Sequence, residues 1–168
     1  SIALLELKNA ASEGATIHGA FNQLQTYKEQ IPSLFKYNQF LVISDGLQAR
    51  MGSLTANMEW FKVWRTIEGE SEAPSTSLEL EVMLRGLFEP GRLLNMMRNF
   101  IAFENDAKGR TTKLIAGYHQ FHAVNKAVEQ MVRASKASGD RRVGVVWHTQ
   151  GSGKSLSMLY LAGRAVRE

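Results

Sequence analysis

Val143-Gly-Val-Val-Trp-His-Thr-Gln-Gly-Ser-Gly-Lys-Ser155 decides the reading of this chain. It opens with an apolar, β-branched run over 143–148, which predicts a buried strand. A glycine-rich turn follows, and then the start of a helix. That order builds a phosphate cradle. Gly151 and Gly153 carry no Cβ, so the backbone bends sharply and brings its N–H groups close to an anion. The helix beginning near Gly153 adds unpaired N–H groups and the positive end of its dipole. Lys154 is placed to reach the β- and γ-phosphates of a nucleotide, and the Ser155 hydroxyl to take a position on Mg²⁺. The general motif has glycine at the first of its eight positions. Here that position is His148, a relaxation that many motor ATPases share.

A second constellation lies at the start. The stretch 2–8, Ile-Ala-Leu-Leu-Glu-Leu-Lys, reads as a strand that is apolar up to Glu6. Residues two apart on a strand point to the same side, so Glu6 and Lys8 project together. A carboxylate holds a divalent cation, and an adjacent ammonium orients an attacking water or stabilises phosphate charge. Phosphodiester hydrolysis needs this pair and at least one more acidic ligand. A helix over 17–30 follows, stopped by Pro32. It carries Gln23 and Tyr27 one turn apart, on one face. Taken separately, Glu-x-Lys also describes an ion pair at a strand end, and Gln-x-x-x-Tyr an ordinary helix face.

Between these sites the pattern alternates short strands and helices. Residues 40–44 read as a buried strand ending at Asp45-Gly46. Residues 49–54 and 59–66 read as two further strands. Trp60, Phe61 and Trp64 fit strand packing better than base stacking. The acidic, Ser-rich stretch 68–77 reads as a linker and places a domain boundary at 71–77. Beyond it, helices are expected over 78–87 and 90–100, strands over 101–104 and 113–116, and helices over 119–134 and from the glycine loop to about 166. Met83, Met96 and Met97 suit helix packing. The four histidines are too dispersed to mark a metal site.

Composition sets the outer bounds. The 168 residues are 44% hydrophobic and 21% charged, a balance that belongs to a folded chain. No apolar run is long enough to span a bilayer, and no signal-type segment opens the chain. Cysteine is absent, which excludes disulfides and cysteine–zinc sites and fits a cytoplasmic setting. The net charge of +4 is unevenly spread: residues 1–75 hold 6 Lys/Arg against 8 Asp/Glu, and residues 76–168 hold 14 against 8. The basic excess, densest over 133–142, suits either nucleic acid or a solvated loop.

Gln120 precedes the body of the helix over 119–134. A glutamine amide can read adenine by donating to N7 and accepting from the N6 amino group. The other reading is a helix N-terminal residue without a ligand.

Taken together, Glu6-Leu-Lys8, Ala20-Phe-Asn-Gln-Leu-Gln-Thr-Tyr27, Leu41-Val-Ile-Ser-Asp-Gly46, Gly117-Tyr-His-Gln-Phe-His-Ala-Val124 and the glycine loop resemble the restriction, or R, subunit of type I restriction endonucleases. The resemblance covers essentially the whole chain. It implies an α/β architecture: the C-terminal part of a PD-(D/E)xK-type nuclease fold over 1–70, a linker over 71–77, and over 78–168 the start of a RecA-like P-loop motor domain. By that resemblance Glu6 is a metal-binding carboxylate, Lys8 the catalytic lysine, and Gln23 and Tyr27 a pair supporting DNA cleavage. Gln120 contacts adenine, while Thr149, Gln150, Gly151, Ser152, Gly153, Lys154 and Ser155 hold the phosphates, with Ser155 on the metal. The implied cofactors are ATP and Mg²⁺. The implied partners are double-stranded DNA and the modification (methyltransferase) and specificity subunits of a restriction complex, with no membrane. The family's upstream acidic ligand and later motor motifs lie outside these 168 residues, so this stretch alone is expected to be inactive. The competing expectation is a non-catalytic nucleotide- or DNA-binding interaction module in which Glu6 and Lys8 form only an ion pair.

Overall fold

The computed structural model describes residues 1–12 and 15–167. The chain is a mixed α/β structure with two small sheets. Strand β1 (Ala3–Leu7) leads into helix α1 (Ile17–Gln30) and returns as β2 (Phe40–Ser44), which pairs in parallel with β1, Ala3 opposite Phe40 and Leu7 opposite Ser44. A tight turn then reverses the chain into antiparallel β3 (Ala49–Gly52). Asp45 stabilises that turn by accepting from the Leu47 and Gln48 N–H groups at 3.1 and 2.8 Å. Gly46 adopts φ +95°, and a Cβ there would lie 2.6 Å from the Ala10 side chain.

Central strand β2 divides two cores. Phe40 and Val42 face a large cluster containing Trp64, Met83, Met96 and Phe121. Leu41 and Ile43 face a smaller one with Ile17, Ala20 and Leu24 of α1 and Phe35. Burial on both faces explains why this strand reads as an unbroken apolar run. Helix α1 starts at Thr16, whose Oγ1 accepts from the Gly19 N–H at 3.0 Å, and stops before Pro32.

Helices α2 (Glu79–Gly86) and α3 (Pro90–Asn99) cover the large cluster. Glu89 caps α3 through the Gly91 and Arg92 N–H groups, and those bonds hold its carboxyl below the usual range. Glu79 at the head of α2 accepts from the Ala49 N–H and pairs with Arg50, covering the free edge of β3. A hairpin of β4 (Ile101–Asn105) and β5 (Thr111–Ile115) leads into α4 (Tyr118–Ser135), against which α5 (Lys154–Ala165) packs.

Two sequence expectations are corrected. Residues 59–66 are not a strand. A 3₁₀ turn (Met58–Trp60) comes first, and the following stretch pairs with β3 through an isolated bridge between Met51 and Lys62. The cause is side-chain burial: Phe61 packs against Gly52, while fully buried Trp64 turns inward and donates Nε1–H to Thr66 O at 2.8 Å. Residues 143–148 are not a buried strand either. They have no ladder partner among the described residues, Gly144 adopts φ +90°, and Val145 is 93% and Trp147 89% exposed.

The 71–77 stretch holds neither helix nor strand. It is tied back by a bridge between Thr66 and Glu72 and by the Ala73 N–H donating to Arg65 O at 2.7 Å. The large cluster continues across it, from Phe40 and Trp64 to Phe121 and Tyr160.

Candidate functional site

The glycine loop is shaped by two left-handed residues, Gly151 at φ +79° and Gly153 at φ +77°; the second is the N-cap of α5. A side chain at either position would be strained. Lys154 is the first residue of α5, and its Nζ crosses the loop to donate to Thr149 O at 3.0 Å and His148 O at 3.3 Å. Thr149, Gln150, Gly151, Gly153, Lys154 and Ser155 are exposed, and Ser152 is half-buried. The backbone groups and ammonium are therefore open to a ligand. Two buried polar atoms beside the loop, His148 Nδ1 and Ser152 Oγ, have no hydrogen-bond partner. Such orphans are costly unless a ligand or solvent satisfies them. The donor set, the two bends and the orphan atoms fit a phosphate chain.

Neighbouring side chains fix the loop from behind. His119 Nε2 lies 3.0 Å from Ser152 O, and because a carbonyl only accepts, the ring carries its proton on Nε2. The His148 ring stands edge-on to His119 at 5.5 Å. Burial lowers the His148 pKa, and the neighbouring His119 and Lys154 act in the same direction. Gln120, 2% exposed, accepts from the Gly117 N–H and donates to Gly153 O. A cleft of about 650 Å³ opens beside it, lined by Tyr118, His119, His122, Lys126, Arg142 and His148 among others. That is a ligand-sized space.

The second site is at β1. Leu4 packs on the α1-side cluster and Ala3 on the other, so even-numbered residues of the strand face α1. Glu6 and Lys8 share that side and form an ion pair, Nζ to Oε1 2.8 Å. Tyr27 packs into the same cluster, and Gln23 is half-buried one turn earlier. Among the described residues, no hydrogen bond joins Gln23 or Tyr27 to Glu6 or Lys8. No group of three or more Asp, Glu or His residues capable of holding a metal occurs among them either. Glu6 supplies a single carboxylate, so a cation site is not assembled from these residues.

Contacts that spacing could not forecast tie the end of β5 and the first half of α4 to the stretch 62–72. Lys62 Nζ donates to Ile115 O, Tyr118 Oη to Glu72, and Lys126 pairs with Glu70. His122 Nε2 meets Thr66 Oγ1 at 2.8 Å, beneath the edge-to-face packing of Trp64 on Phe121. Gly86 fits beneath this arrangement because a Cβ would lie 1.9 Å from Thr66 O. No sequence signal marks these pairs, which lie tens of positions apart.

Two family models match separate stretches of the chain. Residues 1–60 match the family described as the type I restriction enzyme R protein N terminus, and residues 119–168 match the SWI2/SNF2 ATPase family. The chain is 46% identical over 99% of its length to the type I restriction enzyme HindI endonuclease subunit of Haemophilus influenzae, covering 16% of that protein. It is 36% identical over 99% of its length to a putative type I restriction enzyme endonuclease subunit of Methanocaldococcus jannaschii, covering 17% of it. Identity to such a subunit from Staphylococcus aureus is 27% over 91% of the chain, covering 15% of that protein. The chain thus spans about one sixth of the length of these curated relatives. By sequence along its whole length, it belongs to the type I restriction enzyme R-protein family.

Proposed function

We propose that this chain contributes a nucleotide site and part of a nuclease site to an ATP-dependent type I restriction endonuclease. The reading joins a PD-(D/E)xK-type nuclease region to the start of a RecA-like motor that translocates double-stranded DNA. It acts in the cytoplasm with modification and specificity subunits. The observation that carries it is the glycine loop, whose left-handed Gly151 and Gly153 hand directly into α5 at Lys154. The names of the relatives, endonuclease subunits of type I restriction enzymes, support the restriction role.

In this reading the loop N–H groups and the head of α5 bind the β- and γ-phosphates of ATP. Lys154 leaves the carbonyls of His148 and Thr149 to neutralise phosphate charge, and the Ser155 hydroxyl supplies an oxygen ligand to Mg²⁺. That ion, when bound, offsets charge on the transferring phosphoryl group. At β1, Lys8 orients water or stabilises developing phosphate charge on the scissile strand. Glu6 stands ready as one acidic ligand, and the remaining ligands lie outside the described residues. Gln23 and Tyr27 support the DNA on the α1 side.

The test uses the whole subunit with its partner subunits. Lys154→Ala is expected to weaken ATP binding roughly 10- to 100-fold and to suppress ATP-dependent cleavage with it. Glu6→Ala and Lys8→Ala are expected to abolish cleavage and leave ATP hydrolysis intact. Unchanged ATP affinity in the first, or persisting cleavage in both of the others, refutes the assignment. A second reading is favoured by the direct Glu6–Lys8 ion pair at 2.8 Å: a non-catalytic nucleotide- or DNA-binding module. Cleavage that survives both β1 substitutions, with DNA binding retained, selects it.

A further inference from the structure

Gln120 sits where a base-reading amide is expected, yet both ends of its amide are committed. Oε1 accepts from the Gly117 N–H at 2.9 Å, closing the first turn of α4. Nε2 donates to Gly153 O at 3.0 Å and lies 3.5 Å from Ser152 O. Gly153 O is also the first acceptor of α5, taking the Ser157 N–H at 3.1 Å. One buried side chain therefore bridges the start of α4 to the start of α5, at the turn of the phosphate loop. The fit is close, because a Cβ on Gly153 would stand 2.7 Å from Nε2. His119 adds a parallel tie to Ser152 O.

An amide nitrogen has two protons, and the loop carbonyls take that edge of Gln120. Adenine recognition by the same amide requires a donor and an acceptor together. The base and the loop therefore compete for Nε2.

We propose that Gln120 is a positioning residue for the phosphate loop: it sets the loop's shape through the Gly153 carbonyl and so governs binding of the phosphate chain independently of the base. This rests on the nucleotide-binding reading above and assigns Gln120 a different object within that site. A base reader affects only ligands that carry a base. A loop-positioning residue affects the bare phosphate chain equally.

The experiment compares inorganic tripolyphosphate, ATP and GTP by calorimetry on the whole subunit and on its Gln120→Ala and Gln120→Glu variants. The Glu variant keeps the oxygen that accepts from Gly117, preserving the α4 cap, but loses the donor to Gly153. Urea midpoints confirm folding. Both variants are expected to weaken tripolyphosphate and ATP by the same factor, about tenfold for one lost hydrogen bond, with the ATP-to-GTP ratio unchanged. Because a buried carboxylate also repels anions, the loss in the alanine variant sets the size of the effect. Unchanged or tighter tripolyphosphate binding in the alanine variant, with ATP-to-GTP discrimination lost, overturns the proposal and leaves Gln120 a base reader. Failure of the unsubstituted subunit to bind ATP or tripolyphosphate overturns the nucleotide reading, and this proposal with it.

Discussion

Two apolar, β-branched runs of similar length meet opposite fates. Phe40–Ser44 becomes β2, paired on both edges and essentially inaccessible to solvent. Residues 143–148, richer in valine, form no strand and stay largely exposed. The difference lies in neighbours, not in intrinsic preference. β2 has β1 and β3 at its edges and a helix-lined core on either face. The 143–148 segment has α4 and α5 beneath it and no strand beside it among the described residues. Strand propensity describes fit to a pleated, half-buried surface, and without that surface it decides nothing.

The largest expected effect separates two tryptophans that sequence treats alike. Trp64→Ala removes a fully buried indole and its bond to Thr66 O, and is expected to cost about 3–5 kcal/mol in urea unfolding of the 168-residue chain. Trp147→Ala, at an 89% exposed site, is expected to fall within about 0.5 kcal/mol. Equal costs would break the comparison by showing that the 143–148 segment is packed.

Next in size is Lys154→Ala. Losing a charge-assisted contact to phosphate is expected to weaken ATP binding roughly 10- to 100-fold, with the urea midpoint unchanged. The substitution also frees Thr149 O and His148 O, both at an exposed site, so the loop itself should persist.

The pH dependence sharpens the picture of the contact between 62–72 and α4. Burial pushes the His122 imidazole below its usual pKa of 6.5, against the attraction of Glu70. The folded state therefore prefers the neutral ring. Its stabilisation is present above pH 6.5 and is lost as pH falls from there through the lower folded-state value. The slope stays within that of one proton, about 1.4 kcal/mol per pH unit. His122→Gln is expected to flatten unfolding free energy against pH in this window. A profile unchanged by the substitution would place the acid sensitivity elsewhere.

The smallest effect is expected at the exposed Arg85–Glu81 pair, 2.9 Å apart and one helical turn from each other. Arg85→Ala should change stability by less than about 0.5 kcal/mol and show no resolvable shift in high salt.

How much of this was legible in the sequence follows the range of the interaction. β2 could be read because burial on both faces leaves an unbroken apolar run, and the end of α1 because Pro32 stops it. The shared side of Glu6 and Lys8 followed from the period of a strand. The 59–66 region misled because Phe61 and Trp64 look like strand residues, whereas the fold uses them as anchors for an irregular path. At the loop, glycine spacing announced the bends. The tie from Gln120 to Gly153 spans 33 positions, and no local pattern encodes it. The pairings of Tyr118, His122 and Lys126 were hidden for the same reason.

The parallel pairing of β1 with β2 has a consequence for biosynthesis. Ala3 emerges from the ribosome well before its register partner Phe40, which lies 37 positions later. At common translation speeds that interval is about 2–7 s, far longer than a helix takes to form. Helix α1 can therefore assemble while the backbone N–H and C=O groups of β1 still await their hydrogen-bonding partners on β2.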